Sequence, residues 1–319
     1  MTALIDAYDA ALFDLDGVIY LGPQAVPGAV AATDELARRG VKLMYVTNNA
    51  ARSAQTVVDQ LVSLGFAADL DSVLTSAQVA AAKLEEELPA GAKVLVAGTD
   101  NLRGLLAQAG LQPVDGADDG PVAVVLGYDP AMGWPRLDEA ALAVQRGAAW
   151  YATNDDRSRP TERGIVLGVG GMIAAIRTAV GGQPTTFGKP FRPMMDVARA
   201  RTGAERPIFV GDRIDTDIIG ANNAAMDSLM VFTGAHGKRD LLAAGPGQRP
   251  THIGWDVSAL LQPRREVGRT AQVESGEVVL TQVPPTREGQ LDALWDVANL
   301  AWASGADAQA ALDQLAELP

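Results

Sequence analysis

The chain has no cysteine and only two histidines among its 319 residues, and aromatic residues make up only 5% of it. Without cysteine it can form no disulfide, no thiolate metal site and no thiol nucleophile. His236 and His252 are spaced too loosely for a metal-binding pair. We expect His236, in a loop after a core strand, at the surface or rim of the fold rather than in catalysis. No run of about 18 apolar residues and no basic, apolar N-terminal segment is present, so we expect no membrane contact and a cytoplasmic location.

Basic residues are also scarce. The sequence carries 26 Lys and Arg against 39 Asp and Glu, a formal net charge of −13. This balance argues against a general nucleic-acid or anionic-membrane binder. It is compatible with a small phosphorylated substrate, because a bound divalent cation reverses the local sign of charge. The length is sufficient for about two domains, each with its own core.

Short apolar runs alternate with helical stretches, which is typical of a mainly parallel α/β sheet. The pattern predicts a doubly wound, Rossmann-like core from residues 1–78 and 184–262, interrupted by an inserted α/β domain at 79–183. A small α+β extension follows at 263–319. The glycine-rich stretch 164–171 is expected to lead into a helix at Met172–Val180. The runs predicted as strands include Val41–Val46, Lys93–Ala97, Val122–Leu126, Ala149–Ala152, Pro207–Val210 and Ser228–Phe232.

Two aspartates, Asp14 and Asp16, follow the first apolar run, and Gly17 comes directly after them. Because side chains alternate along a strand, both carboxylates can point the same way while Leu15 packs into the core. Two like charges this close are costly unless a cation lies between them or one is protonated. The pair therefore indicates a metal site, a proton-transfer role or both. Solvated turn aspartates at a strand end are the alternative.

Two further segments follow predicted strands and carry hydrogen-bond donors. Thr47, Asn48 and Asn49 come directly after the second strand, where a hydroxyl and two amides can bind an oxyanion. Lys189 follows a short strand and lies between a glycine and a proline. A lysine fixed beside carboxylates would stabilise an anionic substrate. An asparagine-rich turn and an exposed loop lysine are the respective alternatives.

Asp212 and Asp217 complete the set. Asp212 comes just after another predicted strand, so it can join Asp14 and the Asp16 backbone carbonyl in oxygen ligation that suits Mg²⁺. Asp217 lies where the next helix starts, and we expect it to orient the metal site from a second shell. The carboxyl ends of strands in a doubly wound sheet meet at one edge, so all these segments are expected to gather there.

In these segments the sequence resembles the haloacid dehalogenase-like superfamily of aspartate-nucleophile phosphotransferases. The Thr47–Asn48–Asn49 run, the Gly188–Lys189–Pro190 run and the run from Gly211 to Asp217 are similar to the branch named for p-nitrophenyl phosphatase and phosphoglycolate phosphatase. That branch carries a large α/β cap between its Thr and Lys motifs, as predicted here for 79–183.

Two segments of the inserted domain also resemble cap signatures of that branch. The Thr153–Asp156 run departs from the commoner Asn-Pro-Asp at Asp155, and the second segment is the Gly168–Gly171 run. From this likeness, Asn154, Asp156, Gly170 and Gly171 are candidate substrate contacts. Turn geometry before a helix is the alternative for the glycines.

The resemblance implies a role for each residue of the core. Asp14 would be the nucleophile that forms an aspartyl-phosphate, and Asp16 the general acid and base. Thr47 and Lys189 would bind the phosphoryl oxygens, with Asn48 and Asn49 as further donors. The metal would be Mg²⁺, held by Asp14, the Asp16 carbonyl and Asp212, with Asp217 in the second shell.

The expected function is a Mg²⁺-dependent phosphomonoesterase acting on a small phosphorylated metabolite. The C-terminal extension is similar to that of actinobacterial glycerol-3-phosphate phosphatases, so glycerol 3-phosphate is the first expectation for the substrate. Phosphoglycolate and a broad p-nitrophenyl phosphatase activity are the alternatives. A dehalogenase would need neither Asp16 nor Mg²⁺, and a scaffold protein on a retired phosphatase core would not need the nucleophile. A homodimer is a further expectation, because caps in this branch often form dimer contacts.

Overall fold

The computed structural model describes residues 2–161, 163–268 and 270–319. The fold is α/β with mainly parallel strands, as predicted. The strands are β1 (Ala10–Phe13), β2 (Tyr20–Leu21), β3 (Gln24–Ala25), β4 (Lys42–Thr47), β5 (Val73–Thr75), β6 (Lys93–Ala97), β7 (Gln112–Val114), β8 (Ala123–Leu126), β9 (Ala149–Ala152), β10 (Ser158–Thr161), β11 (Gly164–Leu167), β12 (Thr185–Thr186), β13 (Pro207–Gly211), β14 (Asp227–Val231), β15 (His252–Gly254), β16 (Ala271–Glu274) and β17 (Glu277–Leu280).

Helices follow most of these strands. The α-helices are α1 (Ala29–Arg38), α2 (Ala54–Ser63), α3 (Ser76–Glu87), α4 (Asp100–Gln108), α5 (Trp134–Gln145), α6 (Val169–Val180), α7 (Arg192–Thr202), α8 (Ile219–Asn223), α9 (Lys238–Ala243), α10 (Arg287–Ser304) and α11 (Gln309–Gln314). A single π-helical turn, Ile214–Ile218, leads directly into α8. Among the described residues, no helix is both long enough and apolar enough to cross a membrane.

The chain divides into two compact units. The first unit consists of Met1–Tyr45, Leu61–Ala67 and Arg199–Pro319, and the second of Val46–Gln60 and Ala68–Ala198. These bounds are not those predicted from the sequence, which separated a core, an inserted cap at 79–183 and an extension at 263–319. The functional division into core, cap and extension stays a prediction.

Parallel strands form the sheet of the first unit, in the order β15–β14–β13–β1–β4. Strands β1 and β13 are apolar and buried along their whole length, as strands covered on both faces must be. Phe13, the last residue of β1, pairs with Val210 on one side and with Tyr45 on the other. The register therefore brings the residues that follow β1 and β13 to the same edge of the sheet.

The C-terminal extension packs within this first unit. Its long helix α10 begins at Arg287, and the side chain of the preceding Thr286 caps the helix by accepting the Gly289 N–H. Leu291 and Trp295 are buried in one apolar cluster with residues of the sheet and of the π-helical turn. The other members of this cluster include Ile214, Ile218, Met230, Phe232, Leu241, Leu312, Leu315 and Leu318.

The second unit contains its own parallel sheet, in the order β12–β9–β8–β6–β7. Its short strand β12 pairs with Tyr151 and Ala152 of β9. The glycine-rich stretch 164–171 contains strand β11, which forms a hairpin with β10. Helix α6 then starts at Val169. The run Ile165–Leu167 between the glycines has high strand propensity, which accounts for this strand.

Candidate active site

Three aspartates of the first unit come together after β1 and β13. One carboxylate oxygen from each of Asp14, Asp212 and Asp217 lies within 4.8 Å of the others. All three residues are buried. Three buried carboxylates repel one another strongly unless a cation or protons neutralise them. An all-oxygen, anionic set of this kind suits a hard divalent cation such as Mg²⁺, so these residues fit the metal expected from the sequence.

The backbone around this cluster is packed closely. The Asp14 N–H donates to the carbonyl of Val210, which continues the pairing of β1 with β13 past the strand end. A Cβ placed on Gly17 would lie 2.5 Å from Oδ2 of Asp212 and 2.9 Å from Cα of Gly234. Only glycine leaves room for Asp212 at this point.

The π-helical turn after β13 carries Asp217. The backbone N–H of Arg213 donates to Oδ2 of Asp217 at 3.1 Å, which fixes this carboxylate at the start of the turn. The Arg213 guanidinium forms two hydrogen bonds with Asp215, at 3.0 and 2.7 Å. Partial burial raises the pKa of Asp215, but the Arg213 side chain outweighs it and holds the pKa below its usual range. Asp217 was expected only to orient the site, whereas its carboxylate lies among the cluster's oxygens.

Asp16 differs from Asp14 in its environment. Strand β1 ends at Phe13, so both aspartates lie in the loop that follows it. Leu15 is 1% exposed and packs into the core, as predicted. Asp16 is exposed, and its side chain is not part of the carboxylate cluster. Two carboxylates in different environments can take different chemical roles, and Asp14 and Asp16 differ in this way.

The second unit holds the other group of predicted residues. Thr47 ends β4, and its hydroxyl accepts the Asn49 N–H at 3.1 Å. The Asn48 carboxamide accepts the Lys189 N–H at 2.8 Å and donates to the Lys189 carbonyl at 2.9 Å. Lys189 is 1% exposed and is among the largest fully buried side chains. The structure thus joins the threonine and lysine segments, which are 141 residues apart along the chain.

Asp156 connects this group to the predicted cap signature. Its carboxylate accepts from Nδ2 of Asn48, at 3.2 and 3.3 Å, and from Nδ2 of Asn154 at 2.8 Å. Oδ1 of Asn154 in turn accepts from the Thr153 hydroxyl at 3.0 Å. Both asparagine amides are therefore committed to protein partners. Of these side chains Asp156 is the more accessible, being half-buried.

The remaining candidates have local structural roles. Asn49 is exposed, and its side-chain oxygen accepts the N–H groups of Ala51 and Arg52 in a turn. A Cβ on Gly170 would lie 2.6 Å from the carbonyl oxygen of Asp155, so a close backbone approach requires this glycine. A Cβ on Gly171 would make only ordinary contacts, with Leu167. Substrate binding by these residues stays a prediction.

The sequence did not single out the loop after β14 as part of the site. In this loop the Ala235 N–H donates to Oδ2 of Asp212 at 2.6 Å, and the Thr233 hydroxyl donates to the Gly17 carbonyl at 2.6 Å. The signal that could have identified it is topological, since β14 is predicted from the sequence and its carboxyl end adjoins that of β13.

Two family models match the chain. The first is haloacid dehalogenase-like hydrolase, over residues 11–112, and the second is HAD-hydrolase-like, over residues 186–260. Among proteins of known activity, the D-glycerol 3-phosphate phosphatase of Mycobacterium tuberculosis is 45% identical over 262 residues, 82% of this chain and 73% of that protein. An acid sugar phosphatase of Staphylococcus saprophyticus is 35% identical over 236 residues, 73% of this chain and 90% of that protein.

Solved structures agree with these matches. The glycerol phosphate phosphatase of Mycobacterium tuberculosis, crystallised in complex with magnesium, superimposes with a TM-score of 0.90 at 39% identity, covering 99% of this chain and 98% of that one. The p-nitrophenyl phosphatase of Archaeoglobus fulgidus has a TM-score of 0.74 at 27% identity, covering 80% and 98%. The family expected from the aspartate, threonine and lysine motifs is thus confirmed, and the chain belongs to the haloacid dehalogenase-like hydrolases.

Proposed function

We propose that this protein is a Mg²⁺-dependent phosphomonoesterase that hydrolyses glycerol 3-phosphate to glycerol and phosphate. The observation that carries the proposal is the cluster of Asp14, Asp212 and Asp217, three buried carboxylates with oxygens within 4.8 Å of one another. A cation neutralises such a cluster, and a cation there lets an acidic protein accept a phosphate ester. The likeness to the glycerol 3-phosphate phosphatase of Mycobacterium tuberculosis, over 82% of this chain, supports the choice of ester.

Asp14 and Asp16 divide the chemistry between them. A carboxylate oxygen of Asp14 attacks phosphorus, the bond from phosphorus to the ester oxygen breaks, and the alkoxide of glycerol leaves with a proton from Asp16. Asp16 then takes a proton from water, whose oxygen attacks phosphorus and releases phosphate as the bond to Asp14 breaks. When bound by Asp14, the Asp16 carbonyl and Asp212, Mg²⁺ would neutralise negative charge between nucleophile and phosphate.

Three further residues are our candidates for binding the phosphate and the alcohol. The Thr47 hydroxyl and the Lys189 ammonium are our candidates for the phosphoryl oxygens. Asp156 is our candidate for the glycerol hydroxyls, because it is half-buried and its position is fixed by two asparagine amides. Asn48 and Asn154 would then act through the residues they hold rather than through direct substrate contact.

A screen of purified protein with Mg²⁺ against glycerol 3-phosphate, phosphoglycolate and p-nitrophenyl phosphate tests the substrate. We expect the highest kcat/KM for glycerol 3-phosphate. A higher value for phosphoglycolate, or equal values for all three esters, would replace this substrate while keeping the reaction. Release of halide from a haloacid without phosphatase activity would reject the proposal altogether.

Asp14→Asn and metal removal test the mechanism. A carboxamide is not a competent nucleophile, so Asp14→Asn should lose turnover while its circular dichroism matches that of the native protein. EDTA should stop turnover, and added Mg²⁺ should restore it. Turnover that survives either treatment would remove Asp14 as the nucleophile or Mg²⁺ as the cofactor, respectively.

We further propose a homodimer and a cytoplasmic location. The hairpin β10–β11 exposes Ile165 and Leu167, which are 79% and 76% exposed, and a second copy could cover them. Sedimentation of the native protein and of a variant with Ile165→Ser and Leu167→Ser tests the dimer.

We propose neither nucleic acid nor a membrane as a partner, in keeping with the net charge of −13. Cell fractionation tests the location.

A further inference from the structure

The loop that follows β14 holds Asp212 at two points. The Ala235 N–H donates to Oδ2 of Asp212 at 2.6 Å, and the His236 N–H donates to its backbone carbonyl at 3.3 Å. A Cβ on Gly234 would lie 2.0 Å from Oδ2 of Asp212, so this loop lies directly against the carboxylate. The position of the loop therefore determines where the Asp212 carboxylate lies.

The imidazole of His236 connects this loop to the segment that carries Asp217. Its Nδ1 accepts the backbone N–H of Ile214 at 2.9 Å. Ile214 is the first residue of the π-helical turn, where N–H groups have no acceptor within the helix. A ring nitrogen here fills the place that a Ser or Asp oxygen takes at most helix starts.

The neighbouring backbone N–H, that of Arg213, is bound by a member of the carboxylate cluster. The Arg213 N–H donates to Oδ2 of Asp217 at 3.1 Å. Two consecutive N–H groups, those of Arg213 and Ile214, are thus held by Asp217 and His236. A shift of the turn away from His236 would move Asp217 relative to Asp212.

We propose that His236 is a positioning residue for the metal site, which fixes the Asp217 carboxylate relative to that of Asp212 through the backbone of Ile214. The inference rests on the proposed function, because it assigns His236 to the Mg²⁺ cluster of that site. His236 does not itself belong to the carboxylate cluster. His236 contributes a hydrogen-bond acceptor, Nδ1, for the backbone N–H of Ile214.

Two substitutions separate this role from simple packing. His236→Leu removes the acceptor and puts an apolar side chain of similar size in place of the imidazole. His236→Asn restores an acceptor at the same place, since Oδ1 of asparagine and Nδ1 of histidine are both bonded to Cγ. The readout is Mg²⁺ binding in the absence of substrate, by calorimetry and by the rise in Tm on adding Mg²⁺.

We expect His236→Leu to bind Mg²⁺ about tenfold more weakly, as loss of one well-placed hydrogen bond allows, and His236→Asn to bind within about threefold of the native protein. Arg239→Ala is the matched control, because Arg239 is exposed in the same segment and pairs with Asp313. It should bind Mg²⁺ as the native protein does.

The outcomes distinguish this inference from the proposed function. Native Mg²⁺ affinity in His236→Leu, or equal losses in the Leu and Asn variants, would overturn the positioning role and leave the phosphatase proposal standing. Absence of Mg²⁺ binding by the native protein would overturn both.

Discussion

The side chain of Asn48 holds the backbone of Lys189 by both of its polar groups, with hydrogen bonds of 2.8 Å to Oδ1 and 2.9 Å from Nδ2. The second hydrogen of Nδ2 points to the carboxylate of Asp156. Gly188, the residue before Lys189, leaves no room for a side chain, since a Cβ on it would lie 2.7 Å from Oδ1 of Asn48. Asn48 therefore sets the place from which the Lys189 side chain departs.

Replacing Asn48 should weaken phosphate binding, although it removes none of the residues proposed to bind the phosphate. Asn48→Asp keeps an acceptor for the Lys189 N–H but directs an oxygen at the Lys189 carbonyl and at Asp156. Each lost buried hydrogen bond is worth about 1–3 kcal/mol, so kcat/KM should fall on the order of 10- to 100-fold. Steady-state kinetics measures this fall, with Gln55→Ala, an exposed change on α2, as the control.

A second change tests the contact with Asp156. In Asn48→Asp the two carboxylates face each other, and Asp156→Asn in the same chain would give a donor in place of one of them. We expect the double variant to recover part of the lost kcat/KM, so that the coupling energy of the cycle differs from zero. Strictly additive losses would mean that Asp156 does not interact with residue 48.

Gly17 is the point where the loop that carries Asp14 meets Asp212. Gly17→Ala would force a Cβ to within 2.5 Å of Oδ2 of Asp212 and would place alanine at a φ of 86°. Gly22→Ala is the matched control, because Gly22 has a φ of 57° but open space around its Cβ. Both variants carry the left-handed backbone cost of about 1–2 kcal/mol. Only Gly17→Ala should weaken Mg²⁺ binding, by tenfold or more in calorimetry.

Much of the fold could be predicted from the sequence because parallel strands read as apolar runs. Strands β6 and β9 have the predicted bounds, Lys93–Ala97 and Ala149–Ala152, and β13 differs from its prediction by one residue. The short hairpins β2–β3 and β10–β11 were not predicted. Their strands of two and four residues are exposed at many positions and carry no clear alternation of apolar and polar side chains.

Residues of the candidate site could be predicted where the chemistry requires a particular residue type. They could not be predicted where their role depends on contacts made in the folded structure. Asp14 and Asp212 could be found because each follows a buried strand, and the register of β1 with β13 joins them. His236 could not, because its role depends on a contact with a backbone N–H 22 residues away. Likewise, an asparagine that binds phosphate and one that holds a lysine backbone have the same sequence pattern.

The C-terminal extension shares a hydrophobic core with the sheet of the first unit, so we expect it to contribute to stability. Leu291 is fully buried in the cluster that contains Ile218 and Phe232. Leu291→Ala should lower the free energy of unfolding by about 2–5 kcal/mol, as measured by urea denaturation. Val283→Ala is the control, because Val283 is 44% exposed and should change it by less than about 0.5 kcal/mol. A small effect of Leu291→Ala would mean that the extension contributes little to the first unit.

His252 makes stability depend on pH. Burial, together with the charge of Arg264, lowers its pKa to about 4, although the carboxylate of Asp227 opposes this. Tyr8 donates its hydroxyl hydrogen to Asp227 and is 3.0 Å from Nε2 of His252, so the neutral imidazole serves as the donor in this second contact. In the unfolded chain the pKa is about 6.5, so between these values the unfolded state binds a proton that the folded state does not.

The stability that His252 contributes is therefore fully present above about pH 6.5 and is lost as the pH falls towards 4. Between about pH 7.5 and pH 5 we expect a loss of about 2 kcal/mol from this residue, measured by urea denaturation at both values. His252→Gln keeps a polar group beside Tyr8 but does not titrate, so its unfolding free energy should fall by about 2 kcal/mol less over the same range. Identical pH dependence in the two proteins would show that another group binds the proton on unfolding.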